Sequence, residues 1–223
     1  MKKRLSKKAL ISVCTLIAVL LVLIIWTIWG NTALMVSTVT VSSNRIPTVF
    51  NGFLIAQVSD LHNAVFGENN AELLQILSEC KPNIIVVTGD LVDAEHTDID
   101  VALDFAKEAA QIAGTYYVTG NHEGSLSQYD ELKTGLESMG VVVLEDASMQ
   151  LEYSGEKVTL IGLSDPSFTL KGNMLGEVPA MVDTKLRGLI GDKDDYTILL
   201  SHGLSTLFQT NFFRLFFRYC TGV

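Results

Sequence analysis

The sequence predicts an α/β domain behind one apolar N-terminal helix, and three observations carry that prediction. Apolar runs over Phe53–Val58, Ile84–Thr88, Thr115–Thr119 and Thr197–Leu200 each stop at a polar motif: Asp60-Leu61-His62, Gly89-Asp90-Leu91-Val92-Asp93, Gly120-Asn121-His122-Glu123 and Ser201-His202. The first three motifs recur at about the length of one strand–helix–strand unit, with Asp60 to Asp90 30 residues and Asp90 to Asn121 31. Ala9 to Trp29 is 21 residues without a charge. Strands alternating with helices form a parallel sheet, and such a sheet exposes its working groups at the strands' carboxyl ends.

The N-terminal segment comes first. A helix of 21 residues at about 1.5 Å each reaches about 30 Å, the hydrocarbon thickness of a bilayer. Lys2, Lys3, Arg4, Lys7 and Lys8 precede it, and Trp26 and Trp29 mark its far end. The positive-inside rule then places residues 1–8 in the cytoplasm, 9–30 across the cell membrane as an uncleaved signal anchor, and the rest outside. A cleaved signal peptide is the alternative, but its apolar core is shorter, about 7–15 residues, and ends at a small-x-small site. A soluble core helix would carry a polar face. Residues 31–50, with Ser, Thr and Asn spread through them, read as a linker.

The domain is expected over 51–206. Phe53–Ser59 is a strand candidate. Asn69–Cys80 fits a helix with Leu73, Leu74, Ile76 and Leu77 on one face and Asn69 or Asn70 as cap. Lys81-Pro82-Asn83 breaks it, and Ile84–Val87 is a β-branched run expected of a strand buried on both faces. Asp98–Ile112 is a second helix, Thr115–Thr119 a strand, and Ser127–Met139 a third helix capped by Ser127 and stopped by Gly140. Val141–Leu144, Met149–Tyr153 and Val158–Leu163 follow without helices between them, as a second sheet would.

Charge narrows the partners. The formal net charge is −9, and beyond the basic tip 11 basic residues face 25 acidic ones. No nucleic acid is expected, because that binding rests on neutralising phosphates. A phosphorylated small molecule remains open, since a bound metal reverses the local sign. The three cysteines lie far apart and make no zinc or disulfide pattern.

Asp60, His62, Asp90, Asn121 and His202 supply mixed oxygen and nitrogen donors, which suit Mn, Fe or Zn. Residues i and i+2 of an extended chain face one side, so Asp60 and His62 can share an ion with Leu61 turned into the core. Asp90 has two oxygens with which to bridge two ions. His122 stands beside Asn121 with no ligand duty and can donate a proton to a leaving alkoxide.

In this order and context the motifs resemble the calcineurin-like metallophosphoesterase superfamily, and within it the membrane-associated bacterial branch, over roughly Phe53 to His202. The resemblance implies a metallophosphatase-type β-sandwich flanked by helices (αββα). It implies two divalent ions, one on Asp60, His62 and Asp90 and the other on Asp90, Asn121 and His202, with His122 catalytic. Asp93 and Glu123 match supporting positions. The implied activity is hydrolysis of a phosphomonoester or phosphodiester by metal-activated hydroxide. A membrane-proximal site favours a lipid-linked or envelope substrate. A nuclease of the same superfamily is a weaker rival.

The family also supplies two histidines from a later G-H-x-H motif. The four histidines here are His62, His96, His122 and His202, and none lies in such a motif. His96, in an acidic loop, is expected to be solvated. Residues 207–223 are an atypical tail: Phe208, Phe212, Phe213, Phe216 and Phe217 are half of the ten Phe. A frameshift or truncation is the preferred reading, leaving the sandwich incomplete at its C-terminus. An amphipathic helix marked by Arg214 and Arg218, or a core helix, is the alternative. The rival to an enzyme is accordingly a non-catalytic, membrane-tethered remnant.

Overall fold

The alternation of apolar residues along the strands builds two cores on the two faces of one sheet. The computed structural model describes residues 6–32, 34–166, 178–190, 195–203 and 218–221. Its larger sheet contains β1 (Met35–Val36), β2 (Ile55–Ser59), β3 (Ile84–Thr88), β4 (Gly114–Val118), β5 (Val142–Val143) and β9 (Arg218–Thr221), in the order β1-β9-β2-β3-β4-β5. The pairs among β9, β2, β3, β4 and β5 are parallel, and β1 runs antiparallel to β9. The smaller sheet has β6 (Ala147–Tyr153), β7 (Glu156–Gly162) and β8 (Thr197–Leu200) in that order.

Ala56, Val58, Ile85 and Val87 point to one face and meet helices α2 (Ala71–Cys80), α3 (Ile99–Ile112) and α5 (Tyr129–Ser138) through Leu73, Leu77, Phe105 and Leu132. Ile55, Ile84, Val86 and Val118 point the other way and meet Leu151, Val158, Leu160 and Ile198 of the smaller sheet. That sheet's outer face, through Ile161 and Leu199, packs on Val182 and Leu186 of α6 (Val178–Ile190). The layers are helix, sheet, sheet, helix, as expected. Each buried aliphatic side chain contributes roughly 1.5–3 kcal/mol.

The elements fall close to their expected places, with informative shifts. Asp98 caps α3 by accepting the Val101 N–H at 3.3 Å. Asn70 precedes α2 but makes no cap bond; its Oδ1 accepts the Phe66 N–H at 3.0 Å instead. Ser127 does not cap α5, which starts two residues later after Gln128. β5, expected to open the second sheet, pairs with β4 and closes the first, because its Val142 and Val143 face Tyr116 and Tyr117 in parallel register. The second sheet begins at Ala147. Of the expected tail only 218–221 is described, and it forms β9, between β1 and β2.

Lys7–Thr32 is one helix, α1, of 26 residues, whose described large apolar side chains from Leu10 to Trp26 are exposed. Among the described residues no helix is long and apolar enough to cross a membrane.

Candidate metal centre

β2, β3, β4 and β8 all end at one edge, and each hands its motif to it. The chain leaving β2 stays bonded to the loop leaving β3. Asp60, His62 and Asn63 donate their N–H groups to the carbonyls of Gly89, Asp90 and Leu91, at 3.1, 2.9 and 3.2 Å. The backbone there is left-handed rather than extended, with φ of 57° at Asp60, 45° at His62, 61° at Asn63 and 51° at Asp90. The expected extended-chain reason for pairing Asp60 with His62 is therefore corrected. The turn brings them together, His62 Nε2 to Asp60 Oδ1 at 3.9 Å, while Leu61 is buried as expected.

Two glycines make room. Gly89 has φ +86°, and a Cβ there would lie 2.6 Å from the backbone of Gly120 and 2.8 Å from His202 Nδ1. A Cβ on Gly120 would strike the Asp90 carboxylate. The motifs can meet only because neither residue carries a side chain.

Asp90 lies at the centre and is almost fully buried. Its Oδ2 is 3.6 Å from His62 Nε2 and 3.2 Å from His202 Nε2, and its Oδ1 accepts the His122 N–H at 2.9 Å. His202 donates Nδ1–H to the Thr88 carbonyl at 2.9 Å, which aims Nε2 inward, 3.2 Å from Asn121 Oδ1 and 4.0 Å from Asp60 Oδ1. Donors held at about 2.0–2.2 Å by one ion lie roughly 3–3.6 Å apart, so this set, all hard oxygens and imidazole nitrogens, fits divalent ions. Asp60, Asp90 and His202 form one close group of donors, and His62, Asp93 and His122 a second.

Burial raises the Asp90 pKa, but the hydrogen bond with His202 and the His122 N–H outweigh it and hold the carboxyl below its usual range. Burial likewise opposes the charge on His202, and the Asp90 bond, the Thr88 carbonyl and the Asp60 charge overcome it, raising the imidazolium to about 9. In the ion-free protein the proton on His202 does the work a cation would do.

Glu123 is the hidden support. It is fully buried in α4 (Asn121–Ser125). Its carboxylate accepts the N–H groups of Gly120, Asp90, Leu91 and Val92 at 2.7, 2.9, 2.7 and 3.3 Å. One anion thus clamps two motif loops together, which is stronger than the supporting role expected of it. Asp93 Oδ1 accepts the N–H groups of His96 and Glu95, at 3.0 and 2.7 Å; these bonds, that from His96 the larger influence, lower its pKa. His122 Nδ1 accepts the Ala94 N–H at 3.1 Å, which leaves Nε2 as the ring's donor, and its ring meets that of His62 edge-on at 4.4 Å. The His96 side chain is exposed, as expected.

All five expected ligands and His122 therefore converge on one edge. Sequence reasoning missed the Thr88 carbonyl, the Ala94 N–H and Asn63. Only Asn63 carried a signal, as the residue after Asp60-Leu61-His62.

The calcineurin-like phosphoesterase family model matches residues 53–219. The chain belongs to that family. It is 28% identical over 176 residues to a bovine (Bos taurus) transmembrane protein with metallophosphoesterase domain, covering 75% of this chain and 38% of that protein. It is 29% identical over 131 residues to an uncharacterized metallophosphoesterase, YkoQ, of Bacillus subtilis, covering 57% of this chain and 48% of that one. The chain thus spans less than half the length of these relatives. A solved phosphopantetheinyl hydrolase from Mycobacterium tuberculosis aligns with a TM-score of 0.39 and 21% identity, covering 67% of this chain and 55% of that one. A domain of the α/β metallophosphatase kind is what the family membership gives.

Proposed function

We propose that this chain is a metal-dependent phosphoesterase that cleaves a phosphomonoester or phosphodiester, held at the cell membrane by α1 with its domain on the outer side. The observation that carries the reading is the position of Asp90 Oδ2, within 3.2–3.6 Å of two imidazole nitrogens that come from opposite ends of the motif series. Asp60, His62 and Asp90 would hold one divalent ion, and Asp90, Asn121 and His202 the other. Two such ions supply Lewis-acid polarisation of a phosphoryl oxygen and activation of water near neutral pH.

The chain's own residues do the rest. Asp90 sets the spacing of the two ligand groups, and Glu123 fixes the loops that carry them. His122 offers Nε2–H to the oxygen on which negative charge develops, and fixed donors aimed at such charge are usually the largest single catalytic contribution. The N-terminal helix supports a lipid-linked or envelope substrate, and two of the relatives carry the word transmembrane in their names.

A second reading stands beside it, a tethered domain that binds metal or phosphate without turnover. One experiment separates the two. The full chain in detergent micelles with Mn²⁺ is expected to hydrolyse bis-p-nitrophenyl phosphate, and Asp90→Ala to lower the rate at least about 10³-fold. Equal rates for the two proteins sink the first reading. Manganese binding with no rate above buffer supports the second.

A further inference from the structure

We propose that Asn63 is a positioning residue for His122, acting through the loop 93–98. The inference rests on the phosphoesterase reading. Asn63 Oδ1 accepts the Asp93 N–H at 2.8 Å, and its Nδ2 donates to the carbonyls of Asp98 and His96 at 3.1 and 3.4 Å. Its own N–H is bonded to the Leu91 carbonyl. One side chain thus fastens both ends of the 93–98 loop to the turn that bears His62.

Besides the Asp93 carboxylate, which lies close to His62 and His122, that loop reaches the site through the Ala94 backbone. Ala94 N–H donates to His122 Nδ1, and this bond decides which ring nitrogen keeps the proton. With Nδ1 accepting, Nε2–H is the donor, and the ring can turn only as far as Ala94 allows. The loop is otherwise closed on itself, by the two N–H groups on Asp93 Oδ1 and by Thr97 Oγ1–H donating to the Asp93 carbonyl at 2.8 Å. It is therefore a compact turn that moves as a unit, and Asn63 is the side chain that sets where it sits. Asn63 occupies the left-handed region at φ 61°, which asparagine tolerates better than most residues. Side chain and backbone conformation suit the same task.

The test must separate loss of the side chain from loss of the turn. Asn63→Gly keeps the left-handed backbone and deletes all three side-chain bonds. Asn63→Asp keeps the acceptor for the Asp93 N–H and deletes the two donated bonds. A p-nitrophenyl phosphoester leaves readily without help, whereas an alkyl phosphoester depends on a donor at its leaving oxygen. Asn63→Gly is expected to lower kcat on the alkyl ester about tenfold and on the p-nitrophenyl ester less than about threefold. Manganese affinity stays unchanged. Asn63→Asp falls between wild type and Asn63→Gly. In the ion-free protein, hydrogen exchange at the Ala94 amide speeds up about tenfold or more in Asn63→Gly.

An equal fall on both esters, or Ala94 protection that survives Asn63→Gly, overturns the inference. If Asn63→Gly does not fold, the same comparisons on Asn63→Asp decide. If the wild type releases product from neither ester with manganese, the phosphoesterase reading fails, and Ala94 exchange still tests the tether by itself.

Discussion

The two ends of the same strands are built on different principles. At the carboxyl end, Asp60, His62, Asn63 and Asp90 sit in left-handed backbone, and a buried carboxylate holds the loops by four N–H bonds. At the amino end, Phe50, Phe53 and Tyr153 pack ring on ring with centroids 4.9–5.5 Å apart. Beside them lies a groove of about 520 Å³ floored by Ile55, Val158 and Ile198. Left-handed residues at that end are a helix stop, Lys81, and a hairpin turn, Ser154. Each left-handed non-glycine residue costs on the order of 1 kcal/mol, so the metal edge spends stability where the other end gains it.

Four substitutions or conditions sharpen that contrast, from the largest effect down. Phe50→Ala should destabilise the ion-free protein by about 3–5 kcal/mol in urea unfolding and leave manganese binding unchanged. Linked losses of both would erase the division between the ends. Glu123→Gln should cost about 3 kcal/mol, because an amide turns its own donors toward backbone N–H groups already pointing inward. Unlike Phe50→Ala, it should also weaken metal binding, by at least about tenfold, measured by calorimetry.

The pH dependence follows from His202. Its pKa is raised from 6.5 to about 9 in the folded, ion-free protein. The stability this contributes is fully present below pH 6.5 and is lost as pH rises through 9, a loss on the order of 2 kcal/mol. Urea midpoints in EDTA at pH 6.5 and 9.5 should show it, and manganese should shrink it, since an ion replaces the proton. The smallest effect is Asp60→Gly. It relieves a left-handed aspartate and should raise stability by about 0.5 kcal/mol while lowering metal affinity at least about tenfold. A clear drop in stability would mean that the strain at this edge is imaginary.

Much of this was legible in the residues. The 30-residue recurrence of the motifs predicted the parallel sheet. What sequence could not supply was direction. The Asp60–His62 pairing came from a turn with positive φ, which aspartate and histidine do not announce as glycine does. β5 was assigned to the wrong sheet because two valines carry no information about which neighbour they face. Asn63 and Ala94 were missed because their role is a chain of hydrogen bonds across 30 residues, and spacing cannot show it.

One row of the larger sheet has a mechanical meaning. Met35 faces Thr221, and Thr221 faces Ser59, the residue before Asp60. Two strand spacings of about 4.8 Å separate Met35 from Ser59. Thr32, where α1 ends, is three residues before Met35, a reach of at most about 11 Å. The helix is thus a short leash fastened at the edge that carries Asp60, and any surface that grips it fixes the radius within which that edge can meet a ligand.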